Sequence, residues 1–337
     1  MVSSSDGAVP DGRTTVRLTR RTGTATAALL CALLAGAASG CQQGGTSGRS
    51  PFIGKAARPA PVLAVKIDNV RAARPQTGLD GADLVYVERV EAGLSRLLAV
   101  YSSRLPESVG PVRSARESDL ELLRQFGRPA FAYSGTQTKL DPVVEAAPLY
   151  PVPLGKAGGA YSRSKERAAP HNLYVSPARA LKAAPNASTA RDIGFRFGAA
   201  PSGGRTTSSY TARYPSARFT FDWSAERHGW LVSMDGDPVR ATGGQRLAVP
   251  TVVVQGVRIH ASRYHDRMGA YSPYTETTGA GPARVLRDGK AYEAHWSRPS
   301  ADGGTDFTTA SGARLAFASG QVWVVYVPQD EVGGGSG

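Results

Sequence analysis

The sequence predicts an α+β protein, with an N-terminal α/β domain followed by a mostly antiparallel β domain. Three observations carry this expectation. Between residues 61 and 183, apolar runs of strand length alternate with segments of helical period. From residue 217 onward, strand patterns follow one another with no helix between them. Those later strands are separated by Asp235-Gly236, Gln255-Gly256 and Asp288-Gly289, dipeptides suited to tight turns.

Taken in order, the chain opens with a leader. Arg13, Arg17, Arg20 and Arg21 precede a small and apolar run over 25–38, which leads into Ala38-Ser39-Gly40-Cys41. A charged segment, an apolar segment and small residues at a cut are the layout of a signal peptide, here residues 1–40. The apolar run is shorter than the roughly 20 residues a permanent membrane span needs. A cysteine at the cut points to lipid attachment at Cys41, hence a lipoprotein held at the extracytoplasmic face of the cell membrane. Arg20-Arg21 leaves both Sec and twin-arginine export open. Cys31 departs with the leader and Cys41 carries lipid, so the mature chain is expected to fold without a disulfide.

Residues 41–60, dominated by Gln, Gly, Ser, Arg and Pro, read as a flexible tether. The α/β domain is placed at 61–197. It begins with a buried strand over 61–67 that ends at Asp68-Asn69, and continues with a hairpin, 84–90 and 94–101, whose short turn contains Gly93. A helix over 115–126 places Leu120, Leu122, Leu123 and Phe126 on its apolar side and stops at Gly127. A strand at 130–134 and a helix at 136–147 follow, then a long loop over 148–172 rich in Pro, Gly and Arg, and a short helix at 177–183. Residues 198–209 read as a linker or surface loop by composition. The β domain, 210–330, carries strands at 218–223, 230–234, 251–255, 271–277, 283–287 and 322–327. It also holds all four tryptophans, Trp223, Trp230, Trp296 and Trp323, whose default place is the core. Residues 331–337 read as a flexible tail.

Basic residues exceed acidic ones by 40 to 27, a formal charge of +13. The leader takes away four arginines and two aspartates (Asp6 and Asp11), which leaves +11 on the mature chain. Such a surplus favours anionic partners through the long-range field. Outside a cell membrane these are anionic envelope components, and the lipid bilayer itself is met through Cys41. Nucleic acid is excluded as a partner by the compartment and by the lack of a lysine-rich run or recognition motif. No cofactor is expected, because no Walker loop, dinucleotide fingerprint or GxSxG occurs. His260, His265 and Asp266 do not match a metal-ligand spacing and no CxxC exists, so no metal is expected either.

The sharpest local feature is the run from Gly110 to Glu117. Ser114 and Glu117 have the spacing of a capping box at a helix start. Arg113 and Arg116 carry the wrong charge for that end of a helix, where an anion would remove the penalty and Arg would grip it in forked geometry. The alternative is that both arginines pair with Asp83, Glu88 or Glu91 of the preceding hairpin. A second cluster, Asp68, Asn69, Arg74 and Gln76, follows the first strand, where ligands of open α/β sheets tend to lie; an Asx-turn would also explain the first two. Glu88 and Glu91 bracket the hairpin turn and either divide acid and base roles or form a cross-strand salt bridge with Arg96. His171 and Asn172 follow a basic loop, and His171 is a candidate general acid or phosphate donor.

These stretches resemble a known family. AVKIDN (64–69), ARPQTGL (73–79), ADLVYVERVEAGLSR (82–96), VGPVRSAR (109–116) and AAPHNLYV (168–175) are similar to the YerB-type lipoprotein family of Gram-positive bacteria. FTFDW (219–223) through GQVWVVYVP (320–328) is similar to that family's second domain. The resemblance implies a lipid anchor, two domains and no cofactor, on an extracytoplasmic domain of unknown function. Three function classes follow as expectations: a non-catalytic lipoprotein that binds an anionic envelope component, an enzyme acting on lipid-linked phosphate or cell-wall glycan, and an adaptor for a membrane protein partner.

Overall fold

The computed structural model describes residues 48–266 and 269–333, besides Gly7 and Thr15. The predicted signal peptide, the lipid attachment at Cys41, the start of the tether and the last four residues of the tail lie outside the described residues.

Apolar segments of the first half, rich in valine, leucine and alanine, form β1 (Leu63–Asp68), β2 (Leu84–Arg89), β3 (Ser95–Tyr101) and β4 (Ala130–Tyr133), and the Pro-containing β5 (Tyr150–Pro153) follows. Helices α1 (Glu117–Leu123) and α2 (Asp141–Ala146) flank β4 in sequence. A small hairpin, β6 (Tyr161–Arg163) and β7 (Leu173–Val175), and helix α3 (Pro177–Lys182) complete this half. The second half is strand throughout. It runs β8 (Arg205–Thr206), β9 (Ser209–Tyr214), β10 (Ala217–Ser224), β11 (Gly229–Met234), β12 (Asp237–Pro238) and β13 (Ala248–Val249). Then come β14 (Thr251–Val257), β15 (Ile259–His265), β16 (Tyr271–Thr275), β17 (Gly279–Arg287), β18 (Lys290–Arg298), β19 (Asp306–Thr308) and β20 (Val322–Pro328).

One mixed sheet of 11 strands organises both halves, in the order β19-β18-β17-β14-β20-β2-β3-β1-β4-β5, with β8 added to β18. Strand β20 lies between β14 and β2 and is parallel to both. The two expected domains therefore share a sheet, and the expected linker over 198–209 already contains β8 and the start of β9. The described residues from 48 to 333 fall in one compact unit. A second, antiparallel sheet is built from β9 to β13.

The large sheet is covered on both faces, which is why its central strands read as continuous apolar runs rather than alternating ones. Leu63, Val65 and Val85 point into a core shared with Phe219, Phe221 and Trp230 of the second sheet. Ala64, Tyr86 and Val100 point into a core shared with Leu122, Leu123 and Phe126 beneath α1. Strand makes up 42% of the described residues and helix 14%, so the fold is mainly β rather than an α/β domain followed by a β domain. The helices expected at 115–126 and 136–147 shrink to seven and six residues, each with an adjoining 3-10 turn. Two segments escape the expected roles. Phe52, within the expected tether, is buried against Phe126 with ring centroids 5.4 Å apart. The expected loop over 148–172 supplies β5 and β6. Burial of an aromatic ring, and backbone pairing at the sheet edge, outweigh the Gly and Pro content that suggested a flexible tether in the first case and a loop in the second.

Candidate functional site

On the α1 side of the large sheet, three neighbouring strands turn from apolar to charged at the same end. Ala64 is followed by Lys66 and Asp68 on β1, Tyr86 by Glu88 on β2, and Arg96 precedes Leu98 on β3. Glu88, Arg96 and Asp68 are directly opposed residues across β2, β3 and β1, so one row of the sheet carries acid, base and acid. The segment before α1 runs beside the end of β1. Asp68 N–H donates to Pro111 O and Arg113 N–H to Lys66 O, both at 2.8 Å. That pairing delivers Arg113 to Asp68, with Nε 3.3 Å from Oδ2. His171 arrives from the loop before β7, its Nδ1 2.8 Å from the same Oδ2. The loops carrying Arg74, Arg113 and His171 each contain a cis peptide bond, before Pro75, Pro111 and Pro170.

The β2–β3 turn supplies the second acid. Ala92 and Gly93 both have positive φ, 56° and 69°, which folds the turn back and directs Glu91 towards α1. Arg116 holds Glu91 in a forked pair, Nε to Oε1 at 2.6 Å and Nη2 to Oε2 at 2.8 Å. Ser272 of β16 donates to Glu91 as well. Burial alone would raise the Glu91 carboxyl, but the bond and charge of Arg116 prevail and hold it down at about 2. Arg96 is 3.9 Å from Glu91 and donates from Nη1 to Ser114 O at 3.0 Å. Burial, and then the charge of Arg116, lower the Arg96 guanidinium to about 9. Three guanidinium groups thus share two carboxylates.

These groups line a cleft of about 740 Å³. Asp68, Glu91, Arg96, Arg113, Ser114 and Arg116, all singled out from the sequence, are brought together there. Arg163 of β6 and His265 of β15 also line it. No spacing pointed to these two, because each comes from a hairpin remote in sequence.

The other candidates lie elsewhere. Arg74 binds Asp235 Oδ2 at 2.8 Å, Asn69 O at 2.7 Å and Met234 O at 3.1 Å, which ties the loop after β1 to the β11–β12 turn. Gln76 donates to Asn69 Oδ1 at 2.8 Å, and Asn69 donates to Ser95 Oγ at 2.9 Å, so both brace that loop. Asn172 is bonded inside its own hairpin, to Ser164 O at 3.0 Å and from Arg163 Nη1 at 2.8 Å.

Two expectations are corrected. Ser114 does not cap α1; its Oγ lies 3.4 Å from Ser134 Oγ. The helix starts two residues later, with Arg116 as the N-cap and its backbone N–H donating to Asp119 Oδ2 at 2.6 Å. A seven-residue helix is a weak source of field, so the cleft draws its positive character from converging side chains. Glu88 does not pair with Arg96, although the two are opposed in register. Its Oε2 takes Lys66 Nζ, which also lies 2.6 Å from Asp119 Oδ1, and this cluster is sealed beneath the cleft. Burial, and less strongly Asp119, push the Glu88 carboxyl up to about 8 against the opposing pull of Lys66.

Among the described residues, no group of three or more His, Cys, Asp or Glu side chains could hold a metal ion. No helix among them is long and apolar enough to cross a membrane. Chemically, the arrangement sets the guanidinium groups of Arg96, Arg113 and Arg116 against the two carboxylates of Asp68 and Glu91, an excess of one positive charge.

Residues 47–191 match the family described as "Protein of unknown function (DUF3048) N-terminal domain", and residues 210–324 match the DUF3048 C-terminal domain. The protein named "Putative lipoprotein YerB" of Bacillus subtilis (strain 168) is 28% identical over 278 residues, covering 79% of this chain and 81% of the relative. The crystal structure of YerB protein from Bacillus subtilis aligns with a TM-score of 0.71 at 23% identity, covering 83% of this chain and 97% of that chain. At that identity the alignment speaks for a shared fold.

Proposed function

The chain belongs to the DUF3048 family, and from that premise we propose that it is an extracytoplasmic lipoprotein, anchored through Cys41, that binds an anionic component of the cell envelope. The single observation that carries the binding reading is the convergence of Arg96, Arg113 and Arg116 on one cleft against Asp68 and Glu91. Arg113 is the group best placed to take a ligand. Its shortest approach to Asp68 is through Nε, and among the described residues its two terminal nitrogens donate no hydrogen bond, so both are open to a ligand. Arg163 adds a fourth guanidinium, bonded to an amide rather than an acid.

Arg113→Ala is expected to weaken binding of inorganic pyrophosphate by the full chain roughly tenfold or more, the usual worth of one hydrogen bond to a charged group. The loss should shrink as salt is raised. Titration calorimetry reads it, and wild-type affinity in the variant would remove the cleft from consideration. The anchor is tested separately. Cys41→Ser should move the chain from the membrane fraction to the soluble fraction, and an unchanged distribution would end the lipid-anchor reading.

The contact between Asp68 and His171 favours a second reading, an enzyme acting on lipid-linked phosphate or wall glycan. Turnover of such a substrate, rather than retention of it, is the result that would decide for this reading.

A further inference from the structure

A second hollow, of about 510 Å³, opens beside the arginine cleft and shares Val70, Leu94 and Ser95 with it. One wall is the loop after β1, carrying Arg71 and Arg74; the other is the β9–β10 hairpin, carrying Arg213 and Arg218. Arg213 and Arg218 are directly opposed across that hairpin, and both are exposed. Like charges placed directly opposite one another weaken a strand pair. Among the described residues no carboxylate forms a salt bridge with the side chain of either. The sole acid in the lining, Asp235, is already engaged, its Oδ2 by Arg74 Nη2 at 2.8 Å and its Oδ1 by the backbone N–H of Arg218 at 2.8 Å. Arg71 reaches the Asp235 carbonyl at 3.2 Å. Arg71 also pairs with Asp237 outside the lining, its Nε 3.7 Å from Oδ2. Four arginines and one acid therefore line a hollow that borders the first.

We propose that the two hollows form one groove for a linear polyanion, a flexible chain with phosphate or carboxylate groups repeated along it. One charged group would sit among Arg96, Arg113 and Arg116, and a later one between Arg213 and Arg218. The inference rests on the reading of the cleft as an anion site and extends it from a single charge to a chain. A lone ion in the cleft leaves the Arg213–Arg218 repulsion in place. A tethered second anion removes that repulsion, and it binds at the high effective concentration set by the link.

The test uses the full chain in detergent with two pairs of probes, pyrophosphate against long-chain polyphosphate and diglutamate against poly-L-glutamate. Affinity is compared per anionic group and measured by calorimetry. In at least one pair the long probe is expected to bind tenfold or more tighter than the short one, and the pair that shows the gain names the charged group. In R213A/R218A the short probe should bind as it does to wild type while the gain disappears. The salt dependence of long-probe binding should become shallower by about two charges. A gain that survives in R213A/R218A overturns the groove and leaves the cleft reading intact. Failure of both short probes to bind wild type removes the cleft reading, and the groove with it.

Discussion

Lys66→Met is expected to destabilise the protein by about 3–5 kcal/mol, the usual consequence of stripping one partner from a buried ionic cluster. The lysine side chain is fully buried, and its two carboxylates, Glu88 and Asp119, are 3% and 0% exposed. With methionine at 66, two acids would face each other in the interior with no cation between them. The loss is read from urea unfolding, and a midpoint within about 1 kcal/mol of wild type would show that the cluster is better relaxed than its geometry suggests. The same cluster fixes a sign for pH dependence. Unfolded Glu88 releases its proton above its ordinary value of 4.5, whereas folded Glu88 keeps it until about 8. Within that window the folded state binds more protons, so stability from this group falls as pH rises, by up to about 1.4 kcal/mol per pH unit. Glu88→Gln should flatten that slope, because glutamine mimics the protonated acid.

Arg298→Met is expected to cost about 3 kcal/mol, for a different reason. Arg298 is fully buried, yet its partners are oxygens of neutral groups rather than carboxylates. Nη2 donates to Glu121 O at 2.9 Å, in the last turn of α1, and to Ala301 O; Nε donates to Gly303 O at 3.1 Å; Nη1 donates to Thr277 Oγ1 at 2.9 Å. The side chain closes the end of α1, where carbonyls lack partners within the helix, and binds that end to the turns around β16–β19. Methionine fills the volume but leaves several buried acceptors unsatisfied, each worth about 1–3 kcal/mol. Arg298→Lys should recover little, since a single ammonium cannot reach three segments at once. Denaturant unfolding and amide exchange across α1 would read the effect, and wild-type protection of α1 in Arg298→Met would contradict it.

The elements legible in the sequence are those whose signal is local. The β2–β3 hairpin was readable because Gly93 sits between two apolar runs, and the turns at Asp235-Gly236 and Asp288-Gly289 because their residues adopt positive φ, 55° and 94° in the first pair, 51° and 70° in the second. Strand β18 carries a local signal of the same kind, for Tyr292, Ala294 and Trp296 alternate with polar residues. Neighbour relations were not legible. Nothing local to residues 322–328 says that they will lie between β14 and β2.

For the candidate site, charge in an unsuitable place proved a useful signal. Arg113 and Arg116 stood out as cations at a helix start, and both line the cleft. Arg116 pairs with Glu91 of the β2–β3 turn, the alternative stated for it, whereas Arg113 pairs with Asp68 of β1 rather than with an acid of the hairpin. Lys66 is a charge of the same kind, set within the apolar run that forms β1. Its partner Asp119 lies 53 residues away, and no spacing rule connects them. Arg163 and the arginine pair of the β9–β10 hairpin belong to the same class, assembled by topology alone.

The placement of β20 also bears on how the chain matures. During synthesis β2 and β14 are both complete while the strand that joins them is still missing. Each then presents an open row of backbone donors and acceptors, the kind of edge that invites pairing with another chain. Residues 322–328 act as the zipper between the two halves, and the edges of β2 and β14 stay open until they are in place.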